Sequence, residues 1–116
     1  MVMNQEELRV ARWQVLRKIN SKFPSWLAEQ SGNHIFDRLE FLPHTEFLEA
    51  YIFYKFDMDI SSAEHSGFTE SIKRTIIAYL NEFQYPMLNN SRISFVFDSR
   101  ENVIKNYKGI YSLRLQ

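Results

Sequence analysis

Cysteine is absent from the 116 residues, which excludes disulfide staples, thiolate metal sites, iron–sulfur ligation and a cysteine nucleophile together. The absence fits a reducing compartment, and a cytoplasmic location is the expectation. Glycine and proline number only three each, far from collagenous or low-complexity usage. The glycines Gly32, Gly67 and Gly109 stand apart, so neither a dinucleotide-binding GxGxxG nor a Walker loop can be drawn. Long apolar runs are missing as well: the longest uncharged one is about five residues, against the ~20 that a bilayer-spanning helix needs. Glu6, Glu7, Arg9 and Arg12 occupy the place where an export signal would carry its apolar segment. No membrane association is expected. The histidines His34, His44 and His65 show neither HxH nor HxxxH spacing, and no serine sits in GxSxG. The expectation is therefore no metal, no cofactor, no catalytic residue and no enzymatic activity.

What is present is apolar and aromatic. Hydrophobic residues make up 45% of the chain and aromatic ones 16%, enough for one domain over residues 1–116 to bury a real core. Glu46 to Asp59, EFLEAYIFYKFDMD, reads as a long central strand. Leu48, Ala50, Ile52, Tyr54 and Phe56 fall on one face of its pleat and Phe47, Tyr51 and Phe53 on the other, so both faces require cover.

The rest of the chain supplies the covering elements. Gln5 to about Gln30 repeats apolar residues at three and four (Leu8, Val15, Leu16, Ile19, Phe23, Trp26, Leu27) and reads as a helix capped by Asn4, with a break or kink at Pro24. Ser31-Gly32-Asn33 ends it. His34 to Leu42 alternates as a strand, joined through Pro43-His44-Thr45 to the central one in an antiparallel hairpin. Ile60 to Gly67 reads as a polar loop, and Phe68 to Phe83 as a second helix with Phe68, Ile72, Ile76, Tyr79, Leu80 and Phe83 inward and Thr69 or Ser66 as its cap. Pro86 and Asn89-Asn90 punctuate its end. Arg92 to Asp98 alternates again, with Ile93, Phe95 and Phe97 inward; Asp98 to Gly109 is a charged connection with one helical turn, and Ile110 to Leu115 a last strand. The order α-β-β-α-β-β predicts an α+β domain: a four-stranded, mainly antiparallel sheet covered by helices.

Formal charge sums to zero but is not evenly spread. Residues 1–26 carry a net +3, residues 27–70 a net −7 and residues 71–116 a net +4. Asp37, Glu40, Glu46, Glu49, Asp57, Asp59 and Glu64 lie on one hairpin and the stretch after it, which antiparallel pairing would gather into a surface suited to a partner with a basic patch. A solvated rim accounts for the same residues. The basic side of the first helix (Arg9, Arg12, Arg17, Lys18, Lys22) suits phosphate backbone, although a solvated helix face is the commoner reason for such a pattern, and the acidic middle opposes nucleic-acid binding. An aromatic surplus on the second sheet face would favour a small homo-oligomeric binding or adaptor module.

Near its C-terminus the chain reads Phe97-Asp98-Ser99-Arg100-Glu101-Asn102-Val103, then Asn106-Tyr107-Lys108-Gly109-Ile110-Tyr111, then Leu113-Arg114-Leu115. This run of about twenty residues resembles the ending of small immunity proteins from bacterial contact-dependent growth inhibition systems. The resemblance implies a cytoplasmic protein without activity of its own that binds, as a monomer in a 1:1 complex, the C-terminal toxin domain of a cognate effector, often a nuclease, and neutralises it. It transfers a role and no contact residues; Gly109, Tyr107 and Tyr111 are expected to be structural.

Overall fold

The computed structural model describes residues 3–86 and 92–116. The first helix, α1 (Gln5–Ala28), begins where the Asn4 side chain accepts the Glu7 N–H at 2.8 Å and buries Arg12, Val15, Leu16, Ile19 and Phe23. It continues through Pro24 as one helix, so the chain does not break there. One lost backbone hydrogen bond is outweighed because Phe23, Trp26 and Leu27 continue the apolar stripe onto the core.

A 3-10 turn over Ser31–Ile35 leads into strand β1 (Phe36–Pro43), which pairs antiparallel with β2 (Phe47–Tyr54) as the hairpin reading expected. The register shifts between Phe36 and Arg38. This bulge at Asp37 breaks the alternation read from the sequence and puts Phe36 on the same side as Leu39 and Phe41, where all three meet the main core.

The central strand is shorter than Glu46 to Asp59. It ends at Tyr54, and Asp57–Ser66 forms a helix, α2, in place of the expected polar loop. Gly67 follows at φ 86, a left-handed conformation that glycine adopts without strain, and turns the chain directly into α3 (Phe68–Glu82). Ser66 Oγ accepts the Phe68 N–H at 3.3 Å, but Gly67 holds the cap position and neither Thr69 nor Ser66 caps the helix through its side chain. Strand β3 (Arg92–Ser99) then lies beside β2 in parallel register, with Tyr54 opposite Ser99. Asn89-Asn90 lies outside the described residues.

Among the described residues the sheet is accordingly three-stranded and mixed, ordered β1-β2-β3, and the element order is α-β-β-α-α-β-α-α. The α+β class holds; the four-stranded, mainly antiparallel sheet does not. Two errors produced it. The helical connection carries the chain from the end of β2 back to the end where β2 began, so β3 runs parallel to it. And the last segment is helical: α4 (Arg100–Tyr107) is followed by the short α5 (Tyr111–Arg114). Tyr111 and Leu115, four residues apart, both enter the core while Leu113 between them is 38% exposed, a helical rather than an alternating pattern.

Both faces of β2 are covered, as its composition demands. Leu48, Ala50, Ile52 and Tyr54 pack with α1, α2 and α3; Tyr51 and Phe53 pack beneath Val103, Tyr107, Tyr111 and Leu115 of the C-terminal segment.

Candidate interaction surface

The carboxylates singled out in the sequence do not come together. Glu46 is exposed in the hairpin turn just before β2, and Asp57, Asp59 and Glu64 belong to α2 beyond its other end. Eight residues of strand separate the two groups, about 25 Å at ~3.3 Å per residue. Glu40 and Glu49 lie between them, on the sheet face that α4 and α5 cover in part, and Asp37 sits at the start of β1 beside Tyr111.

Several of these side chains already have partners. Asp37 accepts from Tyr111 Oη and lies 3.4 Å from Arg38 Nε. Burial, and then that Asp37 bond, pushes the Tyr111 phenol up to about 12, and the Arg38 guanidinium sits 3.6 Å above its ring. Glu40 lies 3.9 Å from Arg38. Glu49 is 2.6 Å from His44 Nε2 and accepts from Tyr51 Oη at 3.4 Å. Glu46 and Glu64 are exposed and carry no ion pair among the described residues.

Asp57 and Asp59 work at a junction. Strands β2 and β3 end side by side, and their chains leave for opposite faces of the sheet, β2 into α2 and β3 into α4. In open sheets such a divergence leaves a crevice outside the carboxyl ends of the strands. Here polar side chains of the protein fill it. The Asp59 carboxylate accepts the Phe56 N–H at 3.0 Å, Glu101 accepts the Asp57 N–H at 2.9 Å, and Ser99 Oγ donates to Asp57 while accepting the Asn102 N–H at 3.0 Å. The Asp59 and Glu101 carboxylates satisfy open N–H groups at the α2 start and the Ser99 hydroxyl satisfies one at the α4 start.

The C-terminal segment is bound as tightly. Asp98, 8% exposed, accepts both from Asn102 Nδ2 at 3.0 Å and from Arg114 Nε. The Arg114 guanidinium lies over Tyr51 and Tyr107. Val103 is fully buried, Gly109 takes φ 75 after Lys108 at φ 57, and Tyr111 meets Phe53 edge-on at 5.0 Å. Structural roles thus fall to Tyr107, Gly109 and Tyr111 as expected, and Asp98, Asn102 and Arg114, which carried no assignment, complete the set. A sign of their pairing was present in the four-residue spacing of Asp98 and Asn102 across a helix start.

Tyr51 is 8% exposed and Phe53 fully buried, so the aromatic second face is not a free surface for self-pairing. The His34, Asp59 and Ser62 side chains line one polar hollow with Ser66 and Ser71, but each bonds elsewhere: His34 to the Ser31 carbonyl, Asp59 to Phe56, Ser62 to the Met58 carbonyl. Nucleophilic catalysis needs a base within hydrogen-bond reach of its nucleophile, and these three are not so arranged. Among the described residues no group of three or more His, Asp or Glu side chains converges to hold a metal ion, and no helix is long and apolar enough to cross a membrane.

No protein-family model, curated protein or solved structure matches this chain.

Proposed function

We propose that the chain is an immunity protein, one that binds the C-terminal toxin domain of a cognate contact-dependent growth inhibition effector and neutralises it by blocking the active site or substrate surface. The observation that carries the reading is the C-terminal segment. The residues through which it resembles such proteins act as one structural unit, in which Asp98, Asn102, Val103, Tyr107, Tyr111 and Arg114 close the second face of the sheet. A shared scaffold element of this kind leaves the outer surface free to differ from one toxin partner to the next.

The partner is a protein with a basic surface, and this chain supplies no chemistry of its own. Of the seven carboxylates, Glu46 and Glu64 are the best placed to steer it, being exposed and unpaired among the described residues. Asp57 and Asp59 lie on α2 with Glu64 and hold its start in place.

Co-expression with the toxin domain encoded immediately upstream tests the proposal. A 1:1 complex by light scattering after copurification is the expected result, with slower association for the Glu46→Lys, Glu64→Lys variant. Failure of any toxin so encoded to copurify overturns it.

A further inference from the structure

Beside the filled crevice lies a groove of about 440 Å³ lined by Lys55, Phe56, Arg100, Glu101, Ile104 and Lys105. Phe56 is 55% exposed and Ile104 57%. Met58, two residues on from Phe56, is 73% exposed. Large apolar side chains held in the open on a rigid junction are the usual anchor of a protein contact, because burying them in a partner recovers apolar area that folding did not cover.

The position is fixed rather than incidental. Phe56 immediately precedes α2, and its N–H is held by Asp59 at 3.0 Å. Ile104 stands one turn after Arg100 on α4, whose start is tied to β2 by the Glu101 N–H donating to the Lys55 carbonyl at 3.1 Å. Both anchors therefore sit on elements clamped to the ends of neighbouring strands.

Three of the four charged side chains lining the groove are cationic. Lys55, Arg100 and Lys105 are exposed and take part in no ion pair among the described residues. Glu101 is the one carboxylate in the lining, and it is engaged by the Asp57 N–H. An apolar floor with a cationic rim fits an apolar side chain flanked by carboxylates, since each carboxylate then meets a cation while the apolar group displaces water.

We infer that this groove docks an acidic segment of a partner protein, with an aromatic or branched aliphatic side chain between Phe56 and Ile104 and carboxylates against Lys55, Arg100 and Lys105. The surface is distinct from the acidic contacts at Glu46 and Glu64 and opposite to them in charge. It does not depend on the immunity reading: any protein carrying such a segment would use it.

Titration of the 116-residue chain with two blocked hexapeptides, one placing a Leu-Phe pair between glutamates and one placing it between lysines, tests the inference by amide chemical shifts. The glutamate peptide is expected to shift Phe56, Arg100, Ile104 and Lys105, to weaken with added salt, and to lose about tenfold in affinity in the Arg100→Glu, Lys105→Glu variant. Retention of the wild-type amide spectrum away from the groove keeps a folding defect in that variant apart from a loss of contact. Equal binding of the lysine peptide, shifts confined to other surfaces, or no shift at all overturns the inference. So does a concentration-dependent dimer that Ile104→Asp dissolves, because the groove would then belong to a second copy of the chain.

Discussion

Arg114 on α5 donates to the carboxylate of Asp98 at the end of β3, and the same guanidinium covers the rings of Tyr51 and Tyr107. A single side chain thereby fastens the last helix to the central strand. Arg114→Met removes the cation while keeping much of the stem. Asp98 then retains Asn102 Nδ2 and the Ser99 N–H as partners, so a loss of about 2 kcal/mol is expected in place of the larger penalty of a fully orphaned buried charge. Denaturant unfolding of the single variants and of Arg114→Met, Asp98→Asn together should give a double-variant loss smaller than the sum of the singles. Additive losses would show that the two groups do not interact.

The covering of the second sheet face rests on apolar contact as well as on that ion pair. Val103 is fully buried against Tyr51 and Phe53. Val103→Ala removes two methyl groups and is expected to destabilise the protein by about 2 kcal/mol, at ~0.8 kcal/mol per carbon plus a small cavity contribution. A thermal unfolding curve unchanged from the wild type would mean that α4 is not packed there.

Pro24 stands inside α1 on an exposed position. An interior proline costs a helix ~3 kcal/mol, and removing it also frees the unfolded chain by up to ~1 kcal/mol. Pro24→Ala is therefore expected to stabilise the protein by roughly 1–2 kcal/mol. A fall in Tm would imply that the helix is broken at Pro24 after all.

Alkaline pH gives a separate handle. The Tyr111 phenol, pushed up to about 12 by burial and by its bond to Asp37, holds its proton more tightly in the folded chain than in the unfolded one. Its contribution is complete below the unfolded value near 10 and is lost as pH rises through about 12. Burial also raises Tyr51, Tyr54 and Tyr85, so Tyr111→Phe should flatten the alkaline loss of stability without abolishing it. An identical pH dependence in wild type and variant would contradict the upward shift of the Tyr111 phenol.

Much of the fold was legible because apolar periodicity reports burial. The two faces of β2, the stripe Phe68, Ile72, Ile76 and Leu80 on α3, and the inward set Ile93, Phe95 and Phe97 on β3 all follow it. Where burial is slight the pattern is silent. Helix α2 buries only Ala63 and α4 only Val103, so neither shows an apolar stripe, and both were read as connections. Their punctuation was present nonetheless: Asp57 and Asp59 in the first turn of α2 with Gly67 after its end, and Ser99 capping α4 with Glu101 in its first turn.

The acidic set shows a different limit. Its members are neighbours in sequence, but a strand carries sequence neighbours apart at ~3.3 Å per residue, and a helix start engages carboxylates internally. Asp57 and Asp59 were read as a surface and prove to hold the α2 start. Phe56 was read as a strand residue facing the core; the strand stops at Tyr54, which leaves the ring outside. That exposure depends on where a strand ends, which alternation does not determine.

Growth of cells that express the toxin domain encoded immediately upstream, with and without this chain, tests the central proposal most directly. The account predicts that the wild-type chain restores growth and that Glu46→Lys, Glu64→Lys restores it less at equal chain abundance. Continued growth arrest in the presence of the folded wild-type chain would contradict it.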